Sequence, residues 1–200
     1  MGDRYIYQKR KSIPDLLCND IIMMFELENN TFQGITVSGI NKHVKDTSDL
    51  MIPKQDKIWY KIENFLYKEL KEALAEYLKL IHQGYNDSNE RTFSFFINNN
   101  DLQADMFMIQ KYEKQEGKYI YHNDFHVDFS QEKYRVLTYL WYLNDVHDGG
   151  ETEFWGGDFN IKPETGKLIL FPACWSYPHR GKMPISNNKY IITGWLYTHK

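Results

Sequence analysis

The 200-residue sequence predicts a mainly β domain with supporting α-helices, in which the helices come first and an antiparallel sandwich or barrel follows. Apolar residues recur at three- and four-residue steps in the first half, and β-branched and aromatic residues alternate at period two after residue 105. A chain of this length is one ordinary domain. We therefore expect residues 1–104 to be a helical support region integral to the same domain, and residues 105–198 to be its β core.

Two helices are predicted in the first half. An apolar-periodic stretch starts at Ile13-Pro14-Asp15 and predicts a helix that ends near Glu28. Residues 33–53 contain glycine, proline and scattered polar residues, and are interpreted as loop with one short strand. From Asp56 to Gln83 an apolar stripe predicts one long amphipathic helix, which ends at Gly84 and braces a sheet.

The second half is rich in short stretches that favour strands. These stretches are Met106–Tyr112, Lys118–His122, Arg135–Leu143, Lys167–Phe171 and Lys189–Tyr197.

Charge and composition limit the classes of binding partner and the cellular location that we expect. The net charge of −3 provides no broad cationic face, so nucleic acid is not expected as a partner. The basic N-terminal stretch has no apolar region behind it, and no apolar run approaches the roughly 20 residues of a membrane helix. Cys18 and Cys174 fit no metal or redox spacing and are expected to be reduced thiols. We therefore expect a cytoplasmic protein without a membrane segment.

Histidine and aspartate residues indicate a metal centre. His179 lies downstream of two H-x-D triplets, one at residues 122–124 and one at residues 126–128. Residues two apart on a strand point to the same face, so either triplet can present an imidazole beside a carboxylate. Two imidazoles and one carboxylate form the facial triad of non-haem iron oxygenases, which leaves positions open for a chelating co-substrate and dioxygen. On these residues alone, both triplets remain candidates.

Lys189 follows His179 by ten residues. A lysine at the head of an apolar strand is typical of a solvated strand end, but the loop between these two residues is long enough to return the chain beside the histidine. The ammonium would then lie several ångströms from the metal, where a dicarboxylate co-substrate needs a cation at its far end. Strand alternation puts Thr193 and Trp195 on the same face as Lys189.

Together these residues resemble the iron(II)- and 2-oxoglutarate-dependent dioxygenases, specifically the prolyl 4-hydroxylase catalytic domain in its small single-domain microbial and viral form. The resemblance covers roughly residues 106–196 and implies a double-stranded β-helix, or jelly roll, with the N-terminal helices packed on one sheet. It is carried by Tyr119-x-x-His122-x-Asp124, Tyr142-Leu143-Asn144-Asp145-Val146, Gly149-Gly150-Glu151-Thr152-x-Phe154, His179-Arg180-Gly181 and Lys189 through Trp195.

The resemblance also implies roles for individual residues. Tyrosines upstream of the metal histidine fit His122 and not His126, so the implied iron ligands are His122, Asp124 and His179. His126 and Asp128 are then expected on the rim of the cleft. The residues implied to bind 2-oxoglutarate or line its cavity are Lys189, which pairs with the distal carboxylate, Tyr112, which donates a hydrogen bond to it, Thr193 and Trp195.

By this resemblance the protein would use Fe(II) and 2-oxoglutarate, with L-ascorbate as reductant, to hydroxylate a C–H bond of a peptidyl proline and release succinate and CO2. Other interpretations are an oxygenase acting on a free amino acid or small molecule, and a catalytically idle jelly-roll binding or sensor module. A cupin-like zinc or manganese hydrolase would have no use for Lys189. Nucleobase repair is disfavoured by the acidic balance.

Overall fold

The structure is a computed structural model that describes residues 3–53, 55–86, 101–104 and 106–199. In this part of the chain, two antiparallel sheets pack face to face and two α-helices accompany the larger sheet. The helices are α1 (Asp15–Leu27) and α2 (Lys57–Asn86), and Trp155–Gly157 forms a 3-10 turn. This is the mainly β jelly roll that the sequence led us to expect.

The larger sheet, called the major sheet, has nine strands among the described residues. Seven of them follow the order β1-β14-β11-β16-β8-β6-β2, while β10 pairs with β11 and β7 pairs with β16. Their bounds are β1 (Tyr7–Lys9), β2 (Phe32–Gln33), β6 (Ser48–Met51), β7 (Gln103–Ala104), β8 (Met108–Tyr112), β10 (Val127–Asp128), β11 (Lys133–Tyr142), β14 (Leu168–Pro172) and β16 (Lys189–His199).

The smaller sheet, called the minor sheet, has the strand order β13-β12-β15-β9-β5 within the described chain. Its strands are β5 (Lys45–Asp46), β9 (Lys118–His122), β12 (Thr152–Phe154), β13 (Phe159–Ile161) and β15 (His179–Gly181). A separate hairpin is formed by β3 (Ile35–Thr36) and β4 (Gly39–Ile40).

Two apolar clusters hold these layers together. The larger cluster joins the inner faces of α1 and α2 to one face of the major sheet, with Trp59 and Leu66 packed near Phe107 and Trp141. Burial of such side chains contributes about 1.5–3 kcal/mol each to folding. The smaller cluster lies between the two sheets, where Tyr142 of the major sheet meets Phe154 of the minor sheet. The helices therefore support the major sheet from behind, and the space between the sheets is left for the functional site.

Several sequence predictions are confirmed. The first helix was expected from the Ile13-Pro14-Asp15 start to about Glu28, and α1 spans Asp15–Leu27. The strand predicted at Lys118–His122 has those bounds. The other four predicted strands are present with ends shifted by at most two residues, as at the start of β8, which is Met108 instead of Met106. Asp105, where the predicted β core begins, lies outside the described residues.

Other predictions are wrong. Residues 33–53 contain parts of five short strands and not one, because strands two residues long carry too little alternation to be recognised. The long helix does not end at Gly84 but continues to Asn86. A single glycine costs a helix only about 1 kcal/mol, which the packing of the rest of α2 can offset. The first 104 residues are also less helical than expected, since β1 to β7 fall within them.

Strands from this N-terminal region pair directly within the major sheet: β1 with β14, and β6 with β8. These pairings join N-terminal strands to the β core, and the division into a support region at residues 1–104 and a core at residues 105–198 stays a prediction. Among the described residues, no helix is both long enough and apolar enough to cross a bilayer.

Two glycines with nearly the same φ angle allow the effect of a close backbone contact on stability to be tested. Gly166 has φ +74° and a Cβ there would lie 2.1 Å from the Ile13 carbonyl oxygen, whereas Gly156 has φ +73° and a Cβ would meet nothing within 4 Å. We expect Gly156→Ala to lower the free energy of unfolding by about 1–2 kcal/mol, the cost of a left-handed alanine. Gly166→Ala should cost about 1–3 kcal/mol more because the backbones must also move apart. Denaturant unfolding measures the free energy of unfolding of both variants. An equal decrease in the two variants would contradict the effect of the contact with Ile13.

Candidate active site

Three potential metal ligands converge between the sheets. His122 is the last residue of β9, Asp124 lies two residues beyond it, and His179 opens the neighbouring strand β15. The two histidines are paired directly across the strands, which brings their ring centroids to 4.3 Å. One ligand atom from each of the three residues lies within 4.8 Å of the others. The site thus combines His122 and Asp124 with a histidine that lies at least 55 positions further along the sequence.

A β-bulge aims the first histidine into the interior. His122 and Tyr119 are three residues apart on β9, but their partners His179 and Gly181 are only two residues apart on β15. The additional residue on β9 turns both Tyr119 and His122 toward the same side of the sheet. Their rings stack with centroids 3.5 Å apart and planes inclined by 15°. The stacking restricts the rotation of the His122 ring.

Backbone carbonyls fix which ring nitrogen of each histidine is free. The Nδ1 atom of His122 lies 2.8 Å from the Ile120 carbonyl oxygen, and Nδ1 of His179 lies 3.0 Å from the Tyr177 carbonyl oxygen. A carbonyl can only accept, so Nδ1 is a donor in each ring, and Nε2 carries the lone pair whenever the ring is neutral. Burial is the main cause, and the nearby His179 a second one, that together lower the pKa of His122 to about 4. His122 is therefore a neutral ligand near neutral pH.

Asp124 is the anionic member of the group. Thr138 on β11 donates a hydrogen bond from its hydroxyl to Asp124 Oδ2 at 2.7 Å, which fixes the carboxylate. Burial alone would raise the pKa of Asp124, but His179, His122 and the Thr138 hydrogen bond together bring it below its usual value. Asp124 is therefore ionised even though it is buried.

The contacts among these three residues leave their electron pairs facing one another. Nε2 of His122 is 3.8 Å from Asp124 Oδ1, and Nε2 of His179 is 3.5 Å from Asp124 Oδ2, both too long for strong hydrogen bonds. Two imidazoles whose Nε2 atoms face a carboxylate are satisfied by a cation placed between the three groups. The set is the two-histidine, one-carboxylate group that suits iron(II) with open coordination positions. The residues present therefore fit a resident iron(II) ion.

A buried lysine lies in the same cavity. The Lys189 side chain is only 1% exposed, and its Nζ donates a hydrogen bond to the Gly150 carbonyl oxygen at 3.0 Å. The same Nζ lies 3.9 Å from the centroid of the Tyr112 ring. Burial lowers the pKa of Lys189 to about 7, because one carbonyl and an aromatic face replace only part of the hydration of an ammonium group.

The remaining residues singled out in the sequence also line this cavity. Tyr112, Thr193 and Trp195 border it together with Lys189 and the three potential metal ligands. The Thr193 hydroxyl already donates to the Tyr139 carbonyl oxygen at 2.9 Å, so this residue contributes mainly its position and its methyl group. The Tyr112 hydroxyl donates weakly to Gln110 at 3.4 Å and is easily redirected to a ligand.

The second H-x-D triplet is not part of this group. Strand β9 ends at His122, and the next strand, β10, contains only Val127–Asp128, so the two triplets do not lie on one continuous strand. The carboxylate of Asp128 accepts hydrogen bonds from the amide and hydroxyl of Ser130 and from the Gln131 amide, so it stabilises a turn.

Three contributors were missed in the sequence. Thr138 anchors Asp124, Gln110 lines the cavity beside Tyr112, and the Arg135 guanidinium carbon lies 3.6 Å from the centre of the Trp195 ring. Alternation along β11 and β8 could have placed Thr138 and Gln110 on an inner face. The specific contacts depend on inter-strand register, which the sequence does not display.

Comparison with known proteins agrees with this geometry. Residues 107–197, which include all three potential metal ligands and Lys189, match the family described as the 2OG-Fe(II) oxygenase superfamily. That stretch, a little under half of the chain, is similar to this superfamily. A related sequence is the "Probable prolyl 4-hydroxylase 10" of Arabidopsis thaliana, which is 30% identical over an alignment covering 38% of this chain and 37% of that protein. The aligned part is thus little more than a third of that relative's length.

Solved structures named as prolyl hydroxylases share the fold over nearly the whole chain. The viral collagen prolyl hydroxylase of Paramecium bursaria Chlorella virus-1, solved with 2OG, superposes with a TM-score of 0.67 at 16% identity, covering 97% of this chain and 96% of that one. A prolyl hydroxylase from Trichoplax adhaerens, solved with a hypoxia inducible factor peptide, gives 0.69 at 16% identity, covering 98% and 84%. These likenesses confirm the predicted jelly-roll fold.

Metal binding to variants tests the converging ligands. We expect His122→Ala and Asp124→Ala to weaken Co²⁺ binding at least about 100-fold, since even the supporting partners of metal ligands are each worth about 10–100-fold. Thr138→Val removes such a support and should cost about tenfold. His126→Ala serves as the control and should bind Co²⁺ like the unaltered protein. Optical titration of the metal-free protein measures all four affinities, and an equal loss in His126→Ala would contradict the assignment.

Proposed function

We propose that the protein is an Fe(II)- and 2-oxoglutarate-dependent dioxygenase that hydroxylates a C–H bond, with a peptidyl proline as the substrate residue. The observation that carries this proposal is that a two-histidine, one-carboxylate group and a buried lysine line one cavity. His122, Asp124 and His179 are the proposed iron ligands. A hydrolase with the same three ligands has no requirement for the buried ammonium of Lys189.

The proposed co-substrate complements the charges of the cavity. A cation held by one carboxylate and two neutral imidazoles keeps a net positive charge, which favours an anionic chelator. Lys189 then neutralises the distal carboxylate, and Tyr112 turns its hydroxyl from Gln110 to donate to the same group. Thr193 and Trp195 close the cavity wall and exclude water.

When bound, iron(II) activates dioxygen, so that one oxygen atom enters succinate as 2-oxoglutarate loses CO2 and the other enters the substrate C–H bond as a hydroxyl group. The chain's residues supply orientation and shielding for this chemistry. Because Nδ1 of each histidine is tied to a carbonyl and Asp124 is tied to Thr138, the ligands keep their directions throughout. No protein side chain is needed to take a proton from the substrate carbon.

The side chains of Trp195 and Arg135 stack on each other and are proposed to contact a peptide substrate. The Trp195 ring lies against the Arg135 guanidinium, and its indole nitrogen is buried without a hydrogen-bond partner among the described residues. A buried N–H of this kind favours a ligand that brings an acceptor, such as a peptide carbonyl. The viral and Trichoplax relatives are named as prolyl hydroxylases, and the latter was solved with a peptide, which supports a peptidyl proline here.

Further parts of the proposal concern the reductant and location. L-Ascorbate is proposed as the reductant by resemblance to the prolyl 4-hydroxylases. A cytoplasmic location is proposed because Cys18 and Cys174 are both free thiols. Small molecules remain the alternative substrate class, and the net charge of −3 continues to disfavour nucleic acid.

Co-substrate turnover decides between the proposed function and its alternatives. We expect the protein to release succinate from 2-oxoglutarate only when iron(II) is added, and to add one oxygen atom to a proline-containing peptide. Mass spectrometry of the peptide and succinate measurement check both products, with His122→Ala as the inactive control. Metal-dependent binding without succinate would instead support an idle module. Turnover on free amino acids but not on peptides would exclude a peptidyl substrate and leave the dioxygenase activity in place.

The pH dependence of co-substrate binding tests the role of Lys189. Its pKa is lowered to about 7 by burial, so the neutral amine predominates at higher pH. Only the ammonium form pairs with a carboxylate, and 2-oxoglutarate affinity should therefore fall about tenfold per pH unit above pH 7. Lys189→Arg keeps its charge and should lose this slope. Lys189→Ala should lose roughly 2–5 kcal/mol of binding free energy. Calorimetry on metal-loaded protein without oxygen measures these affinities; an unchanged affinity in Lys189→Ala would favour the hydrolase interpretation.

A further inference from the structure

The chain passes from one sheet to the other through a single residue beside the cavity. Strand β5 ends at Asp46 in the minor sheet and β6 begins at Ser48 in the major sheet, with only Thr47 between them. Strand β5 pairs with β9, which ends at His122. Strand β6 pairs with β8, which pairs in turn with β16, the strand that begins with Lys189. This short connection therefore links the metal-binding end of the cavity to the lysine end.

A buried ion pair spans the same crossing. Lys45 on β5 is 3% exposed and Asp49 on β6 is 1% exposed, and Lys45 Nζ lies 2.7 Å from Asp49 Oδ2. Lys45 is the cross-strand partner of Tyr119, and Asp49 is the partner of Gln110. Tyr119 and Gln110 both line the cavity, so the lysine and aspartate side chains also point into the space between the sheets.

Asp49 and Lys45 each contact a residue that lines the cavity, Asp49 toward the lysine end and Lys45 toward the metal-binding end. Asp49 Oδ2 accepts a hydrogen bond from Gln110 Nε2 at 3.3 Å, and Gln110 accepts one from the Tyr112 hydroxyl. On the other side, Lys45 Nζ lies 5.5 Å from the centroid of the Tyr119 ring, which stacks on His122.

Stability alone gives little reason for burying these two charges. Removing two charges from water costs about as much as their attraction returns, and apolar pairs of similar volume often stabilise a fold equally well. What the charged pair adds is direction, because one ammonium and one carboxylate oxygen must meet at a defined separation. That constraint acts between the two sheets, across which a bound co-substrate would have to extend.

We propose that the Lys45–Asp49 pair is a clamp that fixes the distance between the metal ligands and Lys189, and thereby selects the co-substrate by its length. Lys45 and Asp49 are positioning residues, since they touch neither the metal ligands nor Lys189 directly. The inference rests on the proposed function, because it assumes that an oxo diacid bridges the cavity. The clamp favours the five-carbon 2-oxoglutarate over the six-carbon 2-oxoadipate.

The test replaces the charged pair with an apolar pair that keeps the strand conformation, Lys45→Met/Asp49→Val. Thermal unfolding and Co²⁺ titration establish that the variant folds and binds metal as before. We expect its affinity for 2-oxoglutarate to fall about tenfold, and its preference over 2-oxoadipate to shrink by a similar factor, because a shift of about 1 Å misaligns a charge-assisted bond. Calorimetry of both diacids on the Co²⁺-loaded protein without oxygen measures the two affinities.

A second buried lysine supplies the matched control. Lys167 is 4% exposed, pairs with Glu164 at 2.6 Å and does not line the cavity, so Lys167→Met/Glu164→Leu should leave both diacid affinities unchanged. If Lys45→Met/Asp49→Val does not fold, Lys45→Gln/Asp49→Asn keeps a hydrogen-bonded but uncharged pair and is measured in its place. Its preference should also shrink.

The outcomes separate the clamp from the function. The clamp is overturned if the variant keeps the original 2-oxoglutarate affinity and preference. It is also overturned if the variant loses Co²⁺ binding and the binding of both diacids to the same extent. Failure of the unaltered, metal-loaded protein to bind either diacid instead overturns the proposed function and the clamp with it.

Discussion

The structure depends on a buried cavity whose two ends need ligands of opposite charge. At one end, lone pairs of His122, Asp124 and His179 face one another at distances too long for hydrogen bonds. At the other end, the Lys189 ammonium has one carbonyl acceptor and an aromatic face. Neither end is fully satisfied by the chain itself, and unsatisfied groups in a low-dielectric interior are costly. A cation at the first end and an anion at the second correct both deficits, so the cavity favours a metal and an acidic chelator together.

The architecture assigns different tasks to its layers. The helices bury the outer face of the major sheet, where Trp59 and Leu66 form part of the larger apolar cluster. This leaves the inner face free to carry polar side chains without loss of the main core. The minor sheet is smaller and supplies both histidines, from adjacent strands held by antiparallel pairing. The major sheet and its helices thus provide a rigid scaffold, and the short strands of the minor sheet hold the histidines in defined directions.

Much of this arrangement follows from the sequence, for physical reasons that are visible in it. The alternation from Lys189 to Trp195 predicts one face of a strand, and that face lines the cavity. The early helix is also predicted well, because a proline start and a periodic apolar stretch are local signals.

Features that depend on pairing between distant strands could not be predicted. The bulge that turns Tyr119 and His122 to the same side exists only because β15 has one residue fewer over the same span. The hydrogen bond from Thr138 to Asp124 requires β11 to pass beside the coil after β9, and no local pattern reports that proximity. Strands of two residues, such as β5, leave no periodicity at all. Sequence therefore identified residues that converge in one cavity, but not what holds them in place.

The choice of lysine over arginine at position 189 bears on how the cavity can discriminate among ligands. An arginine holds a carboxylate through two parallel hydrogen bonds, so its own planar geometry contributes specificity. An ammonium is a point charge on a flexible stem and accepts a carboxylate from many directions. Discrimination by length must then come from the separation between Lys189 and the metal ligands. Because these groups lie on different sheets, that separation is set where the sheets are joined, and the connection through Thr47 with its buried Lys45–Asp49 pair is such a junction beside the cavity.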